Sequence, residues 1–494
     1  MTSQHPGPRP ARPQIDLIDG EWIEPAILLG ETIDDPNTGL SRQYQKATAE
    51  LHVERVVAAA DHLHRSGTWA WSAQGMRVAL LEQIARGLAE RVSDIAYEDA
   101  MANGNPIRVA TQMASYLAPR VLSARDQLNV IGDVEILPAN GRTVKLLHRP
   151  MGPAAILAPW NAPTFVAVAK VASALAAGCP VILKPSEWAP GGCQILAEVI
   201  WEALIHLGLP TSVFQLVHGA ASVGSQLASD SRIRAISFTG GGAGGRAVAA
   251  ASAPHFTALQ LELGGHNPVV IMPDADIELA AISIVEGMTK LNGQWCEAPG
   301  KVMVPWALHD DLVEAILEQI GILRVGHCLE ETTDVGPLSH AAHHAHLQRR
   351  VDDLADQGGK PLTATTLPEL KGWFFNPTVV TGLPADKSIH ELFGPAITVH
   401  AVDSTEEALR AADGPETGLT GFVFGEDLDA SLAVAARIPA GEIRVNGCKL
   451  ADLADGTEQT FWNNAGIGGH GPTDMVRFFQ GRRTIGVDDP SLPV

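Results

Sequence analysis

Apolar positions along this chain recur with two periods, and the switches between them divide it into elements. Val53, Val56, Val57 and Ala60 return at helical spacing within 48–64, and Leu80, Leu81, Ile84 and Leu88 do so within 76–102. Asn103-Gly104-Asn105-Pro106 breaks the second helix, and a further one is expected over 107–125. Ile15 to Trp22 reads as a short edge element turning at Asp19-Gly20. At 133–149 the period becomes two: Val134 and Ile136, then Val144 and Leu146, flank Asn140-Gly141, which predicts a two-stranded ribbon. Such a ribbon is marginal alone in water, so it must pack on something, a neighbouring subunit being one candidate.

Across 153–263 short apolar runs alternate with helical segments. The runs are 154–158, 181–183, 214–217, 235–238 and 259–263, and Ile195, Leu196, Val199, Ile200, Ala203 and Leu204 mark one helix at 193–207. This alternation predicts a parallel sheet covered on both faces, whose ligands bind at the carboxyl ends of the strands. A second α/β region runs from about 266 to 465, with helices expected at 309–321 and 340–357 and strands at 373–380, 397–402, 421–424 and 443–446. The tail, 477–494, carries Phe478, Phe479 and Ile485 and can pair with another element.

Composition narrows the class. The 494 residues, 46% hydrophobic and 18% charged, suggest about two to four domains with large cores. A formal net charge of −21 argues against a nucleic-acid partner, which would require clustered Lys and Arg. The five cysteines include no CxxC pair and form neither a disulfide framework nor a zinc ribbon, so reduced thiols and a cytoplasmic location are expected. The Pro-rich start, 1–13, reads as a loose tail and not a signal peptide, and no apolar run reaches the ~18 residues of a membrane span.

Several residues then invite chemistry, each with a plainer alternative. Cys296, in Gly293-Gln294-Trp295-Cys296, is a candidate nucleophile or an inert core thiol. Glu262 ends an apolar strand, where burial would raise its pKa toward the range of a general base; alternatively it is a solvated strand-end carboxylate. Asn161, at a strand-to-helix turn, can donate to an oxyanion or cap the helix. Lys184 and Glu187 suit ribose hydroxyls or form a surface ion pair. Gly240, Gly242 and Gly245 satisfy G-x-G-x-x-G, with Glu262 at ribose-binding distance along the chain. That fingerprint belongs to the first strand–helix turn of a dinucleotide unit, whereas this one follows the fourth strand; its helix N-terminus can still face a pyrophosphate. His340, His343, His344 and His346 have helical metal spacing but no completing carboxylate or cysteine, so a solvated helix and no metal site are expected.

Taken together these residues resemble the NAD(P)-dependent aldehyde dehydrogenase superfamily over roughly 15–488. Pro159-Trp160-Asn161-Ala162-Pro163 is similar to the family's PWN-x-P, Lys184-Pro185-Ser186-Glu187 to its KPSE, and Phe238-Thr239-Gly240-Gly241 to its FTGS. Leu261-Glu262-Leu263-Gly264-Gly265 resembles LELGG, Gly293-Gln294-Trp295-Cys296 resembles GQ-x-C, and Glu391-Leu392-Phe393-Gly394-Pro395 resembles E-x-FGP. The implied fold is α/β: a Rossmann-type cofactor domain (1–127 and 151–264), an α/β catalytic domain (265–475) and a β-ribbon oligomerisation element (128–150 and 476–494), assembling as a homodimer or homotetramer.

The implied chemistry is oxidation of an aldehyde to the acid with NAD. Cys296 forms a thiohemiacetal and then a thioester, Asn161 and the Cys296 N–H hold the oxyanion, Glu262 activates water, and Lys170 assists proton transfer. The adenosine ribose falls to Lys184, Ser186 and Glu187, whose carboxylate would repel a 2′-phosphate and so favours NAD over NADP. Pro159, Trp160, Gly219 and Gly224 join them. Phe238, Thr239, Gly240, Gly241, Gly245 and Leu263 surround the rest of the dinucleotide, with Glu391 and Phe393 at the nicotinamide ribose. Trp160, Trp295, Glu297, Phe461 and Trp462 are the expected substrate pocket, which points to an aromatic or bulky apolar aldehyde, with a semialdehyde second. A CoA-acylating enzyme is disfavoured by Glu262. A catalytically silent structural homologue is the alternative of another class. Two departures stand out: Gly241 replaces the family serine, and 461–471 lacks the family's usual charges.

Overall fold

The computed structural model describes residues 9–139, 141–387, 390–449, 453–454 and 456–488. Two large sheets organise it. The first has eight strands in the order Glu21–Ile23, Asp16–Ile18, Phe214–Leu216, Val181–Lys184, Ala154–Leu157, Ala235–Gly240, Ala258–Leu263 and Gly466–Ile467. Its five central strands, Phe214–Leu216 through Ala258–Leu263, are parallel, and helices cover both faces. Both faces being covered explains why Val181–Lys184 is buried at every position and reads as a continuous apolar run.

The chain leaves Ala154–Leu157 in one direction across the sheet and, after Phe214–Leu216, returns to its other side at Ala235–Gly240. The strand order therefore reverses between these two neighbours, and a crevice at such a reversal is where an open α/β sheet binds its ligand. Trp160 and Asn161 follow one of these strands; Gly240 and Gly241 end the other.

The second sheet runs Lys360–Leu362, Thr378–Thr381, Ala396–Val402, Pro299–Pro305, Asn267–Ile271, Thr420–Phe424 and Glu442–Val445, parallel except at its first strand. Its core is Val269, Ile271, Val302, Val304, Phe422 and Phe424 packed against Ile277–Thr289 and Trp306–Gly321. The predicted ribbon forms from Val134–Leu137 and Val144–Pro150, and Gln480–Gly486 adds a third strand, pairing Gln480 with Pro150 through Gly486 with Val144. The tail is thus the ribbon's partner within the chain. The expected turn residue Asn140 lies outside the described residues.

Several expectations are corrected. The helix expected at 76–102 is two helices, Gln74–Glu90 and Val92–Asn103, broken where Arg91 leaves helical geometry at φ −109°, ψ 10°. The 107–125 helix likewise divides at Tyr116 into Ile107–Ser115 and Leu117–Ile131; Pro119 then lies in the first turn of the second, where its missing N–H costs nothing. The strand expected from Trp373 begins only at Thr378, after Asn376-Pro377, since proline cannot donate to a central ladder. A hairpin of Ile27–Asp34 and Ser41–Ala47 had no forewarning.

Candidate active site

Cys296 sits between two apolar clusters. On one side are Met113, Ala162, Leu291 and Trp295, with Phe165 and Val166 against them; on the other are Leu419, Phe461 and Ala465. Of the five free cysteines only Cys296 is incompletely buried. Of the residues expected to line a substrate pocket, Trp295 belongs to the first of these clusters and Phe461 to the second. Trp462, also expected there, is 48% exposed and belongs to neither cluster. Met113, Phe165 and Val166, on the helices Ile107–Ser115 and Pro163–Ala177, pack in the first cluster beside the cysteine; their helical spacing made them look like ordinary core.

The approach to Cys296 is an unusual turn. Leu291, Asn292 and Gly293 are consecutively left-handed, at φ 51°, 57° and 73°. Each such non-glycine residue costs roughly 1 kcal/mol or more and persists only where surroundings over-determine it. They do so here. Asn292 Nδ2 donates to the carbonyls of Gly104 (2.8 Å) and Pro337 (2.9 Å), while its Oδ1 accepts from Gly336 N at 2.7 Å. Gln294 Nε2 donates to Asn103 O at 2.9 Å, and its Oε1 accepts from Ser339 N at 2.9 Å. Beyond the cysteine, Asn267 Nδ2 donates to the carbonyls of Cys296 and Ala298, both at 2.8 Å. Asn267 and Asn292 carried no signal in the sequence, because their partners are backbone groups from remote segments.

Asn161 is 8% exposed and does not cap its helix, whose N-cap is Ala162. Its Nδ2 donates instead to Gln294 O at 2.8 Å, two residues before the cysteine, and its own carbonyl accepts from Asn103 and Asn105.

Glu262 lies in the first sheet beside Thr239, whose hydroxyl donates to Oε2 at 3.2 Å. Its Oε1 is 3.6 Å from Cys296 Sγ, so strand and nucleophile segment meet at this contact. His470, which the sequence did not single out, places Nε2 3.2 Å from Glu262 Oε2 and Nδ1 3.3 Å from Lys170 Nζ. Lys170 is 2% exposed, on the helix that Asn161 leads into.

This packing sets the protonation states. Burial on its own raises Glu262, but His470, Lys170 and the Thr239 hydroxyl outweigh it and hold the carboxyl at about 2. The expected upward shift is thus reversed, because burial here comes with partners. Burial lowers Lys170 to about 8 despite the Glu262 charge. Desolvation and then Lys170 lower His470, which leaves a neutral imidazole between a cation and an anion. Burial, then the Glu262, Glu297 and Glu391 charges, push the Cys296 thiol well up. Glu297, which accepts from Gln459 Nε2 at 3.3 Å, is raised to about 7 and Glu391 to about 8, both chiefly by burial.

The expected cofactor residues gather at the reversal of the first sheet. Lys184 Nζ is 3.6 Å from Glu187 Oε2 at the end of its strand, and Ser186 Oγ donates to the same carboxylate at 3.5 Å. Gly219 precedes the helix Ala221–Ala228, whose Gly224 faces Lys184 closely enough that a Cβ would lie 3.9 Å from Cδ. Gly241 caps the helix Gly242–Ser252, Phe238 covers Gly240 and Gly244, and Gly245 packs on Leu263. The glycine loop thus follows the fourth strand of the unit, and Glu262 faces the cysteine. Glu391 Oε1 accepts from Gly265 N at 3.2 Å, and the Phe393 ring meets Trp160 edge-on at 5.5 Å. Pro159 is buried at the end of its strand. This open helix N-terminus at a sheet reversal fits an anionic dinucleotide.

The histidine-rich helix is not solvated on its inner face. His340 stacks on Trp188 at 3.9 Å, and His343, 8% exposed, packs on Trp160 at 4.8 Å and meets the Phe393 carbonyl through Nε2 at 2.9 Å. Burial holds these imidazoles at about 4 and about 3. They join the wall behind two expected cofactor residues. Among the described residues no group of three or more His, Cys, Asp or Glu is placed to hold a metal, and no helix is long and apolar enough to cross a membrane.

The family model described as "Aldehyde dehydrogenase family" matches residues 31–485, so the chain belongs to the aldehyde dehydrogenase family. Its chemistry is the oxidation of an aldehyde to the acid. It is 31% identical over 436 residues to geranial dehydrogenase of Castellaniella defragrans, covering 87% of this chain and 90% of that one. Among solved structures it is similar to aldehyde dehydrogenase C of Pseudomonas syringae, a mutant in complex with NAD+ and octanal, with TM-score 0.88, 28% identity and 96% of each chain covered. HpcC from Thermus thermophilus superimposes with TM-score 0.90 at 28% identity, covering 98% of this chain and 95% of that one.

Proposed function

We propose that this chain oxidises a bulky apolar aldehyde to its carboxylic acid with NAD, using Cys296 as nucleophile and Glu262 as general base. The observation that carries this reading is the 3.6 Å contact between Cys296 Sγ and Glu262 Oε1 inside an apolar pocket. The Sγ–H gives its proton to the carboxylate as sulfur bonds to the aldehyde carbon. The oxyanion accepts from the second Asn161 amide N–H and the Cys296 N–H. NAD, when bound, supplies the hydride acceptor that turns the adduct into a thioester. Glu262, deprotonated again, takes a proton from water while the hydroxide displaces sulfur. The thiolate recovers a proton from Glu262, and the acid ionises as it leaves.

Lys184, Ser186 and Glu187 would hold the adenosine ribose, the N-terminus at Gly241 the pyrophosphate, and Glu391 with Phe393 the nicotinamide end. The Glu187 carboxylate disfavours a 2′-phosphate. In this reading 1–127 and 151–264 carry the cofactor and 265–475 the nucleophile. The element made of 128–150 and 476–494, with exposed Val134, Ile136 and Ile485, joins subunits into a dimer or tetramer.

The apolar walls support the substrate class, as do the names of two relatives, a geranial dehydrogenase and an enzyme complexed with octanal. Steady-state rates on citral, octanal, benzaldehyde and succinic semialdehyde test it. The expected kcat/KM favours the first three; a strong preference for the semialdehyde overturns the substrate class. Glu262→Gln removes both proton transfers, so it is expected to slow the NADH burst and to suppress steady turnover further, and unchanged turnover would refute the base.

A further inference from the structure

The nucleophile segment is buried on both sides of a short accessible stretch. Gln294 and Trp295 before it and Pro299 and Gly300 after it are buried, whereas Cys296, Glu297 and Ala298 keep accessible surface. The functional groups on this stretch are thus a thiol and a carboxylate. Glu297 Oε1 accepts from Gln459 Nε2 at 3.3 Å, and the same amide donates to Leu419 O at 3.0 Å. Leu419 and Phe461 form, with Ala465, the apolar cluster against which Cys296 packs, so Gln459 ties the carboxylate to that cluster. Glu297 Oε2 accepts no hydrogen bond among the described residues.

Charge around the thiol is one-sided. Glu262, Glu297 and Glu391 all act on it. The cations of this region are engaged elsewhere: Lys170 with His470 at 3.3 Å, Arg444 with Glu442 at 2.5 Å, Lys290 with the Cys448 carbonyl at 2.8 Å, and Arg120 over the Phe165 ring at 3.7 Å. We propose that Glu297 is a specificity-determining residue that excludes aldehydes carrying a carboxylate close to the carbonyl, so that the pocket takes neutral ones. This rests on Cys296 being the nucleophile of the proposed reaction.

Attack by Sγ fixes the aldehyde carbon at the cysteine, and a carboxylate a few bonds further along is then held near the next side chain. Two like charges ~6 Å apart in partly dry surroundings disfavour binding by roughly a hundredfold. Apolar walls disfavour any ion by desolvation, whatever its sign; Glu297 makes the exclusion depend on sign. It also makes it depend on pH. Burial, then the Glu442 and Glu262 charges, raise Glu297 to about 7 against Arg444 and the Gln459 amide, with the Cys296 thiol alongside. Exclusion is full above that pH and relaxes below it, as the carboxyl takes up its proton.

The test compares kcat/KM for succinic semialdehyde, its neutral methyl ester and a trimethylammonium aldehyde of similar length. NADH formed from the ester by wild type and lost in Cys296→Ala checks the underlying reading; no NADH from these aldehydes or from octanal means that reading has failed, and the exclusion with it. With turnover established, Glu297→Gln at about pH 8 is expected to raise the ratio of semialdehyde to ester at least tenfold, chiefly through KM, and to lower the ratio of cation to ester. A change in thiol reactivity acts on all three alike and cancels in these ratios. Glu297→Asp keeps the charge and is expected to keep the wild-type order. In wild type the ratio of semialdehyde to ester is expected to rise as pH falls from about 8 to about 6, a trend absent in Glu297→Gln; this series also serves if the glutamine variant fails to fold. Ratios unmoved in Glu297→Gln, ratios that rise for anion and cation together, or a flat wild-type series overturn the proposal while leaving the aldehyde oxidation itself in place.

Discussion

Gly293 lies so close to Gly394 that a Cβ added to it would fall 2.0 Å from the Gly394 carbonyl carbon. The turn into the nucleophile and the segment carrying Glu391 and Phe393 are thus packed backbone on backbone. Two motifs far apart in sequence meet here, and the contact admits no side chain. Gly293→Ala must both strain a left-handed residue, at ~1 kcal/mol, and push two backbones apart. Expected outcomes are a lower melting temperature and a loss of kcat beyond tenfold; wild-type melting and rate would show that the contact gives way freely.

Asn161 offers a cleaner test of chemistry. Its side chain touches the Gln294 carbonyl and caps no helix, so truncation removes few structural contacts. Loss of one oxyanion donor usually costs ~10²–10³ in rate. Asn161→Ala is therefore expected to slow the NADH burst by that order while leaving the fold and NAD binding intact. A burst at wild-type speed would remove Asn161 from the oxyanion site.

Much of this site was legible because its motifs end strands, and strands announce themselves by apolar runs. Trp160, Lys184, Gly240 and Glu262 all fall at carboxyl ends of the predicted sheet, and the sheet brings them together. His470 was illegible for the opposite reason. It sits on a two-residue strand in a glycine-rich loop, and its ring partners, Lys170 and Glu262, lie far back along the chain. The hairpin of Ile27–Asp34 and Ser41–Ala47 left no trace because its first strand buries only one of eight residues, so neither face imposes a period of two there. His340 and His343 mislead because a polar residue type reads as a solvated one, whereas aromatic neighbours bury them.

Three carboxylates raise the Cys296 thiol, and Glu297 is the one with no assigned part in the chemistry. At about pH 8 Glu297, raised to about 7, is mostly ionised, and a negative charge beside a thiol disfavours its thiolate. Glu297→Gln removes that charge, so the thiol pKa falls and the thiolate fraction at fixed pH rises. Alkylation of the free enzyme by iodoacetamide at about pH 8 is expected to quicken several-fold, and the gain to shrink as pH falls and Glu297 protonates in the wild type. Equal alkylation rates across this range would mean that Glu297 does not act on the nucleophile.

Gly241 stands at the serine position of the FTGS motif that Phe238–Gly241 resembles, and its surroundings leave room for a side chain. A Cβ there meets nothing within 4 Å, and the backbone, at φ −71°, ψ 152°, is extended and suits any residue. The position is the N-cap of the Gly242–Ser252 helix, where serine is at least as favourable as glycine, by a few tenths of a kcal/mol. Gly241→Ser is therefore expected to fold and melt as the parent does or slightly higher. If the pyrophosphate sits at this terminus, the new hydroxyl gains a hydrogen bond to a charged oxygen, worth roughly 1 kcal/mol, or about fivefold in NAD affinity. Titration of NAD by fluorescence measures this directly. An unchanged Kd with an unchanged fold would place the pyrophosphate away from Gly241, because the room and the backbone geometry are already present.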